Sequence, residues 1–325
     1  MEIGISIVNY KTADLTIDCL KSLSLERVLI DFQVILVDND SQDGSFEKIV
    51  LAIELEGWGT WVHIVATEYN GGFSYGNNIA IRKFIIEESP PEFIYLLNPD
   101  AYAHSGAVFT LFEFMQENPN VGISGGRIES EDGSVQNSSF RFHSCITEFN
   151  RGFSLALLEK TLRPWLSDTD MPACETQTDW VSGASMMIRS AVIKDIGLLD
   201  ESYFMYFEET DFCLQASRIG WECWYVPKSR IVHYVGQSSG ISGGSIKENR
   251  RPTYWFNSRR RFFLKNYGVF HAITADIFWM LGFSTWLFRN LFQRKSNNYP
   301  PYFLYDTLIN SVFVKGVCIS EIKNK

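Results

Sequence analysis

The chain has 325 residues, 46% apolar and 21% charged, which suits one large globular domain with a small appendage or two modest domains. A net charge of −9 gives no basis for a nucleic-acid partner. That charge is unevenly spread: residues 245–325 carry thirteen Lys and Arg against four Asp and Glu, a net of +9, which leaves residues 1–244 at −18, and the same tail holds 18 of the 48 aromatics.

In chain order, residues 3–8 (IGISIV) are an apolar run of strand length ending at Asn9-Tyr10. Residues 12–24 have helical spacing, with Leu15, Cys19, Leu20 and Leu23 on one face. A second strand, 33–37, ends at Asp38-Asn39-Asp40-Ser41 and a helix follows to about 55. A third strand over 62–67 leads through the Asn70-Gly71-Gly72 turn into a helix over 75–88. The fourth, 93–97, ends at Asn98-Pro99-Asp100; a helix covers about 105–117, and Val121–Ser124 is a fifth strand. Strands alternating with helices at this spacing fold as a mostly parallel sheet, and such sheets gather ligands at the carboxyl ends of their strands. Asn9, Asp38, Asn70 and Asp100 stand at four of those ends. Each is also a good turn former or helix cap, so the pattern is informative only as a set.

Beyond 125 the alternation breaks. Residues 129–175 read as loop-rich, 179–188 (DWVSGASMMI) as a strand, 208–218 as a helix of one to three turns, and 223–226 and 230–233 as short strands. The Gly/Ser-rich run 236–245 is the expected end of the main unit. The apolar stretch 269–292 is broken by His271, Asp276 and Arg289, and reads as an interfacial helix more than a spanning one. Cys19, Cys145, Cys174, Cys213, Cys223 and Cys318 form no C-x-x-C pair, so zinc spacing is absent. Met1-Glu2-Ile3 runs directly into the first strand, so no signal peptide is expected and the thiols are expected to be free in a reducing cytosol.

Three segments in this order carry a resemblance to a known family: 34–41 (VILVDNDS), 69–78 (YNGGFSYGNN) with 96–100 (LLNPD), and the block 179–218, which closes with SYFMYFEETDFCLQASR. Over about residues 3–240 they resemble the family 2 glycosyltransferases, particularly the bacterial rhamnosyltransferase-like members. The resemblance implies an α/β, Rossmann-like GT-A nucleotide-diphospho-sugar transferase fold, with a mostly parallel central sheet and a C-terminal helical extension. It implies a catalytic domain over 1–244, with a nucleotide-sugar half at 1–125 and an acceptor half at 126–244, followed by a basic, aromatic extension over 245–325. The implied reaction is inverting transfer of a sugar from a nucleotide-diphosphate donor to a hydroxyl of a glycan or lipid-linked saccharide, in cell-surface polysaccharide synthesis. The Asn-Pro-Asp form leans towards deoxythymidine-diphospho-rhamnose, with uridine-diphosphate hexoses open.

By the same resemblance Asp100 holds a divalent cation, Mg2+ or Mn2+, against the donor diphosphate. The family's more familiar Asp-x-Asp is replaced here by Asn98-Pro99-Asp100, whose first position is neutral. His233, at a strand end, resembles a second metal or diphosphate ligand. Asn9, Asp38, Asn70, Gly72, Asn78 and Asn98 resemble the nucleotide-sugar pocket, and Trp180, Ser182 and Gly183 an acceptor-side wall, although a Trp there serves equally as core. Glu208-Glu209-Thr210-Asp211 stands where the family reads Glu-Asp-x-Asp. Glu209 then matches the general base, with Glu208 and Asp211 as fallback bases. Acids in the first turn of a helix also complement its dipole, which is the plain alternative.

No G-x-G-x-x-G follows the first strand, no P-loop is present, and no Gly-rich, Arg-containing loop opens the chain. The competing reading is a non-catalytic sugar-binding or membrane-associated scaffold of the same fold, against which Asp100 and the acids of 208–211 both speak. The tail predicts peripheral attachment to the inner face of the cytoplasmic membrane. In that reading Arg250, Arg251, Arg259, Arg260, Arg261 and Lys265 meet anionic headgroups, while Phe278, Trp279, Phe283, Trp286, Phe288 and Phe292 enter the interface. The rival is that these aromatics pack onto the catalytic domain.

Overall fold

The computed structural model describes residues 2–153, 171–234, 250–293 and 300–319. The first half runs β1 (Ile3–Asn9), α1 (Ala13–Glu26), β2 (Phe32–Asp38), α2 (Ser45–Leu55), β3 (Val62–Ala66), α3 (Gly72–Ile85), β4 (Phe93–Leu97), β5 (Ala101–Ala103), α4 (Ala107–Glu117) and β6 (Val121–Glu129). The second continues with β7 (Val135–Gln136), β8 (Ser139–Phe140), α5 (Cys145–Phe153), β9 (Thr176–Thr178), β10 (Trp180–Val181), β11 (Ser185–Arg189), α6 (Ser190–Ile196), α7 (Glu208–Arg218) and β12 (Glu222–His233). The tail forms α8 (Thr253–Gln293), α9 (Phe303–Ile309) and α10 (Val312–Lys315).

The main sheet is ordered β3-β2-β1-β4-β11-β6-β12-β5. Pairs β2–β3, β1–β2, β1–β4 and β6–β12 are parallel, and β11 lies antiparallel between β4 and β6. Successive side chains of one strand enter opposite cores, as period-2 geometry requires. Val34 and Leu36 of β2 belong to one core with Ile5, Leu20, Ile49 and Leu111, while Ile35 and Val37 belong to a second with Ile81, Phe84 and Ile188. The sheet is thus buried on both faces, which is why its strands read as continuous apolar runs.

Several expected boundaries shift. The single strand expected over 179–188 is two, β10 and β11, separated by a turn at 182–184. The pieces expected at 223–226 and 230–233 are one strand, β12, with register irregularities after Glu222 and between Val226 and Arg230. Within the loop-rich stretch, α5 forms over 145–153. Position 125, the expected division between halves, lies inside β6, so both halves share one sheet. The expected end near 244 falls outside the described residues.

A third core joins the tail to the rest of the chain. Tyr203, Phe207 and Leu214 pack with Trp255, Phe256, Phe262 and Phe263, and, past a kink at Gly268 (φ 82°), with Trp279, Phe283 and Trp286. This corrects the tail expectation in two respects. Trp279, Phe283 and Trp286 are interior, and most of the basic cluster is engaged within the protein. Arg259 is buried between Glu148 (Nε–Oε2 2.7 Å) and Asp276 (Nη1–Oδ1 2.5 Å), Arg261 and Lys265 bind Asp200, Arg250 binds Asp306, and Arg251 lies over the Trp255 ring. Asp276 is therefore no break in an interfacial face; it is an inward residue that also accepts from Val312 N at 2.9 Å. The side chain of Phe292 lies outside the described residues. Among the described residues no helix is long and apolar enough to cross a membrane.

Candidate active site

The edge begins where β1 and β2 end in register, Asn9 opposite Asp38. Asn9 Nδ2 donates to Asp38 Oδ1 at 2.6 Å, and Asn9 Oδ1 accepts from Thr12 N, Thr12 Oγ1 and Thr16 Oγ1 at 2.9–3.2 Å. Asp38 also accepts from the Ser41 hydroxyl (2.6 Å) and amide (3.1 Å). Asn9 is fully buried, so it shapes the edge from behind and fixes the Asp38 carboxylate. Asn39, which sequence reasoning passed over, braces the next loop: its Nδ2 donates to Asn70 Oδ1 (2.9 Å) and Gly72 O (3.1 Å). The signal was available, since Asn39 adjoins Asp38 at the same strand end.

Gly72 has φ +84°, and a Cβ there would lie 1.9 Å from Phe204 O. Phe73 N donates to that same carbonyl at 2.9 Å. Only glycine permits this approach, which brings the aromatic run before α7 against the start of α3. That run is backbone-strained: Tyr206 (φ 71°) and Phe207 (φ 70°) are consecutive left-handed non-glycine residues. They are held by the tail, where Ser258 Oγ donates to Met205 O (3.0 Å), Tyr254 stacks with Tyr206, and Trp255 and Phe262 flank Phe207.

The turn they make starts α7 at Glu208 and Glu209. Glu208 is buried, and burial with the neighbouring charge of Glu209 pushes its carboxyl well above the ordinary range. Burial raises Glu209 to about 7 against the opposing pull of backbone N–H groups, Gly183 among them. A Cβ on Gly183 would lie 3.0 Å from Phe73 Cζ and 3.8 Å from Glu209 Cβ, so the turn at 182–184 is pressed between α3 and α7. Glu209 Oε2 has no hydrogen-bond partner among the described residues. A buried carboxylate with an unpartnered oxygen, raised to about 7, is suited to accept a proton from a hydroxyl.

The other wall lies one residue away. Asn98 N donates to Ala184 O at 3.1 Å, tying the end of β4 to that turn. Asn98 Nδ2 lies 3.1 Å from His233 Nε2, and the same nitrogen lies 3.2 Å from Asp100 Oδ1. His233 arrives there because β12 pairs antiparallel with the short β5, setting it opposite Ala101. Sequence reasoning missed β5, whose three residues follow Asp100 directly. Asp100 is buried, and Cys19 beneath it is held protonated by burial and by the Asp100 charge. Among the described residues no group of three or more His, Cys, Asp and Glu is placed to hold a metal ion, and Asp100 and His233 stand as a pair.

Other expected residues hold structure together. Asn78 bonds both backbone groups of Leu199 (2.8 and 3.1 Å) and Glu201 (2.9 Å), fixing the loop that leads to the aromatic run. Asp211 is engaged on both oxygens by the tail, Oδ2 by Lys265 Nζ (2.7 Å) and Oδ1 by Asn266 Nδ2 (2.6 Å). Trp180 stacks on Phe140 at 4.2 Å and donates Nε1–H to Arg141 O, so its ring is largely interior. Ser182 is half-buried; its N donates to Ser138 O and its Oγ accepts from Ala184 N.

Residues 4–196 match the model of the family described as glycosyl transferase family 2. Among curated proteins, the N-acetylglucosaminyl-diphospho-decaprenol L-rhamnosyltransferase of Mycobacterium tuberculosis is 27% identical over 74% of this chain and 78% of its own. The rhamnosyltransferase WbbL of Escherichia coli K12 is 25% identical over 58% of this chain and 71% of its own. Among solved structures, the mannosyltransferase PcManGT of Pyrobaculum calidifontis, determined with GDP-Man and Mn2+, superposes with a TM-score of 0.54 at 13% identity, covering 98% of this chain and 84% of that one.

Proposed function

The chain belongs to glycosyl transferase family 2 and is a glycosyltransferase, and from that premise we propose that it inverts the donor's anomeric centre while moving rhamnose from a deoxythymidine-diphosphate donor to a hydroxyl of a lipid-linked saccharide. The names of the relatives support a rhamnosyl donor and a polyprenyl-diphosphate acceptor. The observation that carries the mechanism is the junction at 183–184. Gly183 faces Glu209 on one side, and Ala184 holds Asn98 of the Asn98–Asp100–His233 group on the other. A proton acceptor and a site for the departing diphosphate then flank the same short turn.

In this reading the ordered edge of Asp38, Asn39, Asn70 and Gly72 receives the nucleotide. Asp100 and His233, one carboxylate and one imidazole 3.2 Å apart, would hold a divalent cation, Mg2+ or Mn2+. When bound, such an ion supplies positive charge that stabilises the leaving diphosphate. Glu209 takes the acceptor's proton as the hydroxyl attacks from the face opposite the leaving group, and Gly183 N–H orients its carboxylate. Burial and the charge of Glu209 push the Glu208 carboxyl well above the ordinary range, which disfavours a second negative charge beside Glu209.

The test is a panel of deoxythymidine-, uridine- and guanosine-diphosphate sugars with Mn2+ or Mg2+, a short-chain lipid-diphosphate saccharide as acceptor, and assignment of the product's anomeric configuration by NMR. Transfer from the rhamnosyl donor with inverted configuration is expected. Retained configuration overturns the mechanism, and transfer only from a hexosyl donor overturns the donor.

A further inference from the structure

We infer that Phe73 selects the donor sugar: its ring meets the exocyclic carbon of the transferred sugar and favours a methyl there over a hydroxymethyl. The inference rests on the rhamnosyl donor proposed above and names the side chain that would tell that donor from a hexosyl one.

Phe73 stands where the donor-binding and proton-accepting walls meet. It is the second residue of α3, and its backbone is fixed at both ends. Phe73 N donates to Phe204 O at 2.9 Å, and Phe73 O accepts from Asn77 Nδ2 at 3.0 Å. The ring reaches the turn at 182–184: a Cβ on Gly183 would lie 3.0 Å from Phe73 Cζ and 3.3 Å from Cε1. The same point lies 3.8 Å from Glu209 Cβ, so the ring tip and the root of the Glu209 side chain close on one space beside Gly183. Phe73 packs against the second core with part of its surface uncovered.

In-line displacement supplies the next step. The transferred carbon lies between the departing oxygen and the attacking hydroxyl. With the diphosphate at Asn98, Asp100 and His233 and the hydroxyl at Glu209, the sugar spans the short turn that joins them, through Ala184 and Gly183. Its rim then comes to the side chain that overhangs Gly183. A phenyl ring neither donates nor accepts a hydrogen bond, and the polar side chains nearest in the fold are engaged. Asn77 donates to Phe73 O and accepts from Ser6 Oγ (2.7 Å), and the Ser182 hydroxyl accepts from Ala184 N. A methyl seated on the ring gains burial, whereas a hydroxymethyl gives up water without a replacement partner. An apolar site rejects an added hydroxyl by about a hundredfold, because the cost is desolvation alone. A ring that served only the core would leave the choice between the two sugars untouched.

The test is a competition in one vessel between deoxythymidine-diphospho-L-rhamnose and deoxythymidine-diphospho-L-mannose, with the products quantified by mass. These donors differ only by the hydroxyl on the exocyclic carbon. Both meet the same enzyme, so any loss of folded protein cancels from the ratio. Wild type should favour the rhamnosyl donor by about a hundredfold in kcat/KM. Phe73→Gln, which brings an amide to that carbon, should lower the preference by about tenfold or more, while Phe73→Leu, apolar and smaller, should keep most of it. Wild type that uses both donors equally, or Phe73→Gln with an unchanged ratio, overturns the inference and leaves the rhamnosyl donor standing. Phe73→Leu that loses the preference as fully as Phe73→Gln also overturns it, since shape and not polarity would then decide. Transfer confined to uridine- or guanosine-diphospho-hexoses overturns the proposed donor and this inference together.

Discussion

The carbonyl of Phe204 occupies the space where a side chain on Gly72 would begin, 1.9 Å from an ideal Cβ. One backbone contact thereby joins the Asn70–Gly72 loop to the strained run that precedes Glu209. Gly72→Ala should cost roughly 1–3 kcal/mol, from the left-handed φ and the displaced carbonyl together. Turnover should fall alongside the melting temperature. An alanine variant with wild-type stability and turnover would refute the coupling of the two loops.

Glu209→Gln keeps the side chain's size and removes its basicity. Donor affinity by calorimetry should be unchanged, while turnover drops by about a hundred- to ten-thousandfold. In the wild type the carboxyl must be ionised to accept a proton, and burial raises it to about 7. The transfer rate should therefore climb with pH through about 7 and level off above. Linkage has the opposite sign for stability. A carboxyl raised from 4.5 favours the folded state fully below pH 4.5, and that contribution is lost as pH rises through about 7. Glu209→Gln should accordingly flatten the decline in melting temperature between those values. An unchanged rate profile would transfer the role to another group.

Asp100→Ala should abolish transfer at any metal concentration while leaving the melting temperature close to wild type. His233→Ala removes one of two donors and should raise the Mn2+ requirement by about 10- to 100-fold. Chelation of a purified, active sample should mimic the first variant and be reversed by adding Mn2+. Full activity in chelator would remove the metal from the reaction.

Arg259 is the buried hub of the tail, between Glu148 and Asp276. Truncating it strands two carboxylates in an interior of aromatic rings, so Arg259→Ala should lose about 3–5 kcal/mol in urea titration. Replacing the group with apolar residues of similar volume (Arg259→Met, Glu148→Met, Asp276→Leu) should recover much of that loss. If the single and triple variants lose equally, the cost lies in packing and not in the unpaired charges.

The strand ends were legible because Asn9, Asp38, Asn70 and Asp100 follow apolar runs whose period and spacing suffice to order a parallel sheet. His233 was legible only as a candidate, since its partner strand β5 has three residues, too few for a periodic signal. The contacts of Asn78 and Asp211 were hidden for a different reason. Their partners, Leu199 and the Lys265–Asn266 pair, lie 121 and about 55 residues away, and no local pattern reports such a contact. The basic cluster of the tail misled because composition counts charges without saying which face each occupies. Arg259 and Arg261 lie two residues apart on α8 and bind partners in separate parts of the fold, Glu148 and Asp200.

Two adjacent residues, Tyr206 and Phe207, hold a backbone conformation that their side chains disfavour, and groups of α8, with His143 beside the Phe207 ring, pack against them. The conformation of the turn before Glu209 thus depends on a segment more than forty residues further along the chain. A chain cut in the Gly/Ser run would remove the groups of α8 that hold the Tyr206–Phe207 turn before Glu209. Exchanging tails between relatives would be expected to change turnover, even for acceptors free in solution.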